Sequence, residues 1–264
     1  MIPKIIHYCW FGGAPKSAFI KRCMQTWKKK LPDYKWKEWN ESTFDINSVP
    51  FVREAYKAKK WAFVSDYVRL YALYTEGGIY MDTDVKVIKS FDEFLTYNFF
   101  SAHEKHPFFY EPQNLSLLNK DLTLKNPDIM VEGWAILSAI MGSVPRLPYI
   151  KECIEHYNNL RFDVVTNNIN DYVIGKHITK PLLHYGYRFS DEKQVLKNNM
   201  LILPSTLLVG NLMYKDKNPY AIHLCNGSWY QNTFDKKFRN NFPSIYRIWS
   251  FINRLYNGVK RRIK

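Results

Sequence analysis

Asp82 and Asp84 stand one residue apart in Gly77-Gly78-Ile79-Tyr80-Met81-Asp82-Thr83-Asp84. Carboxylates at the end of a strand-like run are hard oxygen donors, the ligand type that Mg²⁺ and Mn²⁺ take. Side chains alternate with period two in extended chain, so the spacing predicts both carboxylates on one side. A cation held there would clamp a diphosphate and neutralise the charge it gains as it leaves. The chemistry that follows is group transfer from a nucleoside diphosphate. An Asp-x-Asp pair alone is a weak signal, because acidic residues commonly sit at strand ends and turns. Its surroundings strengthen it. Ser65-Asp66-Tyr67-Val68-Arg69 lies on a segment that reads as helix, and Gly77-Gly78 supplies a turn in which positive φ costs little. Asp66 and Arg69, at i and i+3, share a face of that helix. The plain alternative for them is an ion pair on the helix surface.

These residues need a frame. Residues 4–10 read as a buried first strand closed by Phe11-Gly12-Gly13, and a helix follows from about 17 to 30, stopping before Pro32. A second strand is expected over 34–39, a short helix over 51–60 and a longer one over 61–76. Strands at 79–81 and 85–88 flank the acidic pair. Alternating strands and helices argue for an α/β domain with a mainly parallel central sheet. A mononucleotide would then lie at the carboxyl ends of the strands. Farther on, 99–102 reads as strand, 111–128 as loop, and 149–158 as helix. A helix over 170–185 would be interrupted by Pro181, and late strands fall at 200–203 and 221–224. The expected organisation is one α/β domain over 1–243 with an irregular acceptor-side region, followed by a basic amphipathic helix over 244–264.

Composition narrows the partners. With 264 residues, 46% of them hydrophobic, the chain has ample material for a core. Aromatic residues make up 17%, which favours stacking on flat or ring-shaped ligands, although most must serve the core. The net charge of +14 points to anionic partners: a nucleotide sugar, acidic lipid headgroups or nucleic acid. Basic residues are spread along the chain apart from Lys28-Lys29-Lys30 and the tail, and no nucleic-acid motif is present, so a nucleic-acid binder is the weaker reading. Cys9, Cys23, Cys153 and Cys225 are scattered without a Cys-x-x-Cys, which speaks for a reducing compartment. No signal-peptide pattern opens the chain and no apolar run reaches membrane-spanning length, so a cytoplasmic, soluble or peripheral protein is expected. A dehalogenase-like phosphatase also begins with a strand ending in Asp-x-Asp. It needs Thr or Val two residues beyond the second Asp, where this chain has Lys86, and it needs a later acidic pair that is missing.

Four blocks occur in a telling order: residues 2–13 (Ile-Pro-Lys-Ile-Ile-His-Tyr-Cys-Trp-Phe-Gly-Gly), Ser65 to Arg69, Gly77 to Asp84, and His223 with Gly227-Ser228-Trp229. Together they resemble glycosyltransferase family thirty-two, which holds yeast Golgi mannosyltransferases and bacterial capsule and lipopolysaccharide transferases and is related to the large glucosylating toxins. The resemblance implies a GT-A, Rossmann-like fold, a UDP- or GDP-sugar donor, Mn²⁺ or Mg²⁺, a glycan or lipid-linked oligosaccharide acceptor, and retention of anomeric configuration. It assigns Trp10 to stacking on the donor base, Asp66 to the sugar hydroxyls, Arg69 to the sugar and diphosphate, and Tyr80 to a donor contact. Asp84 would bind the metal directly, and Asp82 would serve the ribose and the metal shell. The third ligand stays open between His223 and Asn226, because the toxins carry an acidic residue in this region and this chain has none between Ala221 and Gln231. Ser228 and Trp229 match residues that close over the diphosphate. Glu132, in Val131-Glu132-Gly133-Trp134, is a candidate for the acceptor side or simply an exposed loop residue.

The tail carries a separate signal. Ile245, Ile248, Trp249, Ile252, Tyr256 and Val259 recur at helical spacing, with Arg247, Arg254, Lys260, Arg261 and Lys264 mostly opposite. Such a helix over 245–264 can lie on an anionic membrane, here the inner face of the cell membrane. It can equally pack on the domain with a solvated basic face.

Overall fold

In the computed structural model, β1 (Ile5–Cys9) has parallel neighbours on both sides. Ile6 lies opposite Trp36 of β2 (Lys35–Trp39) and Ile79 of β3 (Gly78–Met81). A strand so placed is covered on both faces, which is why Ile-Ile-His-Tyr-Cys lacks polar alternation. The structure describes residues 1–105, 116–163, 173–212, 215 and 217–225.

The sheet continues from β3 through β7 (Ile140–Ser143) and β5 (Phe99–Lys105) to β9 (Met200–Leu203) and β8 (Gln194–Leu196). β6 (Trp134–Ile136) pairs with the outer end of β5, Lys105 opposite Trp134. β1, β2, β3, β5 and β9 run one way, whereas β7 and β8 run the other. The expected α/β class with a largely parallel sheet is what forms. A second, small sheet joins β10 (Leu208–Val209), β11 (Ala221–His223) and β4 (Val85–Val87).

Helices cover both faces. α1 (Ala18–Lys30) starts on the Ser17 cap, whose hydroxyl accepts from the Ile20 amide. It buries Ile20, Cys23, Met24 and Trp27, an i, i+3, i+4, i+7 stripe. Ile20, Met24 and Trp27 make one apolar core with Ile79, Met81, Phe100 and the small sheet. The other face carries α2 (Pro50–Lys57), α3 (Trp61–Glu76), α4 (Pro148–Asn158) and α5 (Ile174–Leu182), packed with Tyr80, Phe99 and Met141. Pro181 falls in the last turn of α5, where the chain tightens into a 3-10 turn at Leu183–Tyr185 instead of breaking. Among the described residues no helix is long and apolar enough to cross a membrane.

Two buried histidines tie the sheet to its connections. His7, fully buried in β1, receives the Trp39 indole N–H at Nδ1 over 3.1 Å and bonds the Gly77 carbonyl through Nε2 at 2.7 Å. That makes it a neutral imidazole with its proton on Nε2, anchoring the turn that starts β3. Gly77 and Gly78 have φ of +66° and +103°, and a Cβ on Gly78 would stand 2.7 Å from the Ile5 carbonyl oxygen. Only glycine lets α3 feed into β3 this closely.

His103, on β5, bonds the Tyr187 hydroxyl at 3.0 Å and the Glu192 carbonyl at 3.0 Å. Burial pushes its pKa down from 6.5 to about 4. The unfolded chain therefore takes up a proton first as pH falls, and stability from this group is lost from pH 6.5 downward. Going from neutral pH to pH 5 should cost about 2 kcal/mol through His103. Urea unfolding at the two pH values, in the native chain and in His103→Gln, checks this: the pH-dependent loss should shrink in the variant.

Candidate active site

α3 presents Asp66 and Arg69 inward, not to solvent. Their side chains are 8% and 5% exposed, and Arg69 Nη2 lies 2.8 Å from Asp66 Oδ1. The surface ion pair that the spacing allowed is thus a buried one. The same Nη2 is 3.5 Å from Asp82 Oδ1, Nη1 donates to the Ser138 carbonyl at 2.9 Å, and Nε donates to the Ser65 carbonyl at 3.2 Å. The guanidinium carbon also sits 4.6 Å from the Tyr80 ring centroid. Burial works against the charge on Arg69, but Asp82, Tyr80 and Asp66 outweigh it and hold the group cationic. Burial pushes the Asp66 carboxyl up to about 7, against the pull of Arg69.

β3 ends at Met81, so Asp82 and Asp84 are not in extended chain. The Val85 amide donates back to the Asp82 carbonyl at 3.0 Å, closing a turn. The carboxylates converge because the chain turns, not because strand side chains alternate. Tyr80, expected as a donor contact, is buried and donates its hydroxyl to Asp82 Oδ1 at 2.8 Å. It acts on the site through Asp82.

β11 delivers the third group. His223 pairs with Val85 across the small sheet, and its Nε2 stands 3.2 Å from Asp84 Oδ1 and 3.8 Å from Asp82 Oδ2. One ligand atom from each of Asp82, Asp84 and His223 lies within 4.8 Å of the others. Two carboxylates and an imidazole are a donor set that Mn²⁺ accepts and that Mg²⁺ takes less readily through nitrogen. Burial opposes a proton on His223, yet Cys225 and Asp84 raise its pKa well above 6.5. A cation entering here has to displace that proton.

Trp10 follows β1 at its carboxyl end and is half-buried. Its indole N–H donates to the Ala14 carbonyl at 2.6 Å, and Lys16 Nζ lies 5.0 Å from the ring centroid. Glu132 is exposed in the turn before β6. Asn226, Ser228, Trp229 and the segment 245–264 lie outside the described residues. Sequence reasoning missed Glu104, whose carboxylate feels the charges of His223, Asp82 and Arg69. The strand expected over 99–102 runs on to Lys105, and continuing its alternation would have put Glu104 on the face of Phe100 and Ala102.

Residues 18–101, which contain the buried pair and the acidic turn, match the family described as a glycosyltransferase sugar-binding region containing a DXD motif. Over this region the chain is similar to the DXD glycosyltransferases. An initiation-specific alpha-1,6-mannosyltransferase from Candida albicans is 33% identical over 104 residues, covering 36% of this chain. The match spans only 27% of that relative's length. Among solved structures, the PaToxG glycosyltransferase aligns with a TM-score of 0.48 at 18% identity, covering 69% of each chain. A glycosyltransferase involved in glycosylation of the major capsid of PBCV-1 aligns with a TM-score of 0.44 at 12% identity, covering 84% of this chain and 94% of that one.

Proposed function

We propose that this protein is a metal-dependent, retaining glycosyltransferase that moves a sugar from a UDP- or GDP-sugar to a glycan acceptor in capsular polysaccharide or lipopolysaccharide synthesis. The observation that carries this reading is the convergence of Asp82, Asp84 and His223 beside the buried Asp66–Arg69 pair, with both acidic residues and that pair lying in the segment that matches a DXD sugar-binding region. Mn²⁺ or Mg²⁺ held by Asp82, Asp84 and His223 would supply charge neutralisation for the departing diphosphate. Arg69, locked by four partners, offers a fixed cation that needs no reorganisation as negative charge develops. Asp66 accepts sugar hydroxyls, and Trp10, at the mouth of β1, receives the base. The diphosphate oxygen freed on one face of the sugar takes the proton of the incoming acceptor hydroxyl on that same face, which retains configuration.

A thermal-shift screen of UDP- and GDP-sugars, with Mn²⁺ or EDTA, tests the reading, since ligand binding raises apparent stability by mass action. GDP-mannose is the first donor to try, given the mannosyltransferase relative. Metal-dependent stabilisation and release of free nucleotide are expected. Absence of any nucleotide effect, together with a salt-sensitive shift on nucleic acid, would overturn it. Trp10→Ala should weaken nucleotide binding by roughly 1–3 kcal/mol, the scale of one base on an aromatic ring. Calorimetric titration with UDP and GDP reads this directly, and retained affinity in a less stable protein would mean that Trp10 is packing.

We further propose a cytoplasmic enzyme held peripherally on the inner membrane face by residues 245–264, where a lipid-linked acceptor is presented. Apolar spacing opposite basic residues, in a chain of net charge +14, supports this. Each basic group near an anionic surface contributes about 1 kcal/mol. Changing Lys260, Arg261, Arg262 and Lys264 to Gln should therefore release the full chain from anionic vesicles in sedimentation assays. Equal sedimentation of both forms, or none by the native chain, would contradict the tether.

A further inference from the structure

Glu104 stands at the carboxyl end of β5, and its Oε1 lies against Gly210, 2.8 Å from where a Cβ on that glycine would be. Gly210 follows β10, and its carbonyl accepts the Cys225 thiol at 3.2 Å. Cys225 Sγ is in turn 3.5 Å from His223 Nδ1. The carboxylate is therefore set beside the His223 arm of the site, on the face of the sheet opposite α3 and Arg69.

Burial raises its pKa, His223 and Arg69 pull it back, and Asp82 pushes it up further. Among the described residues, no hydrogen bond or ion pair engages this carboxylate. A half-buried carboxylate at the edge of a binding site keeps acceptor oxygens that the donors of a ligand can reach.

The chemistry of that ligand follows from position. Along the sheet, β1 bears Trp10 at its end, β3 leads to Asp82 and Asp84, β7 comes next, and then β5 with Glu104. Two strand spacings separate β3 from β5, roughly 10 Å. A diphosphate would be repelled by an unpaired carboxylate. A neutral group rich in hydroxyls would not.

We propose that Glu104 holds the transferred sugar by accepting hydrogen bonds from its hydroxyls, on the far side of the metal cluster from the nucleotide. Gly210 is the space that lets the carboxylate lie there. This rests on the transferase reading above, and it adds a residue that fixes which sugar is accepted.

The test compares free nucleotide with nucleotide sugar. Native protein, Glu104→Gln, Glu104→Ala and Gly210→Ala are titrated with UDP, GDP, UDP-glucose, UDP-galactose and GDP-mannose in Mn²⁺. The isosteric Gln variant keeps the volume and removes only the charge, so it folds even where Ala does not. Expected is unchanged affinity for UDP or GDP and a loss of about ten- to hundredfold for the preferred sugar nucleotide, the scale of hydrogen bonds to a charged group. Gly210→Ala should reproduce the loss by displacing the carboxylate. Equal losses for nucleotide and sugar nucleotide would assign Glu104 to the metal cluster and overturn the proposal. Unchanged affinity for both would overturn it and leave Glu104 an idle charge. If native protein binds no nucleotide at all, the transferase reading fails first, and this inference with it.

Discussion

Asp84→Asn should abolish Mn²⁺-dependent release of nucleotide from the sugar donor while the protein remains folded. Asp84 is nearly buried, and its Oδ1 is 3.2 Å from His223 Nε2, so it is the carboxylate most firmly committed to the cluster. Asn keeps the volume and one oxygen but removes the charge that a hard cation requires. Outer-shell partners of a metal cost about 10- to 100-fold when removed, and loss of a direct ligand should exceed that range. Turnover measured across a Mn²⁺ series, beside the melting temperature with and without Mn²⁺, distinguishes the possibilities. The metal-induced rise in melting temperature should vanish with the activity. Full activity that still requires metal would remove Asp84 from the site.

Arg69→Met should lower unfolding stability by about 3–5 kcal/mol, the cost of stripping one partner from a buried ion pair. Arg69 answers Asp66 at 2.8 Å and Asp82 at 3.5 Å, and Met leaves both carboxylates facing an apolar wall. Donor turnover should fall as well, because Asp82 then loses the cation that shares its Oδ1 with Tyr80. Adding Asp66→Asn to Arg69→Met should recover part of the stability but not the activity. The Asp66 carboxyl already sits near neutrality at about 7, so it discharges at modest cost, while Asp82 stays exposed to the loss. Urea unfolding of the single and double variants measures this. A loss below about 1 kcal/mol, typical of an exposed pair, would mean that the pair is solvated.

Much of the frame around the site was legible from local pattern. The segment 61–76 is a helix as its periodicity required, and the glycine pair does adopt positive φ before β3. α1 begins at its Ser17 cap, and β1 is the doubly covered strand that its apolar run implied. These features arise within a few residues of chain, where spacing and backbone preference decide. The acidic pair was legible as a chemical type. Its geometry was not, because a turn closed by the Val85 amide, not strand alternation, brings the carboxylates together.

What tertiary structure alone decided is the meeting of distant segments. β7 reverses direction between β3 and β5, a pairing that nothing local to residues 140–143 announces. His223 reaches Asp84 only because β11 takes up register with β4, and the Asp66–Arg69 pair is buried only because Ser138 and Asp82 close over it. Glu104 falls beyond the strand expected over 99–102, and only the fold sets its carboxylate against Gly210, from far along the chain. Spacing along a chain states which groups share a face. Burial and charge at that face depend on what packs against it, and here that comes from segments tens to more than a hundred residues away.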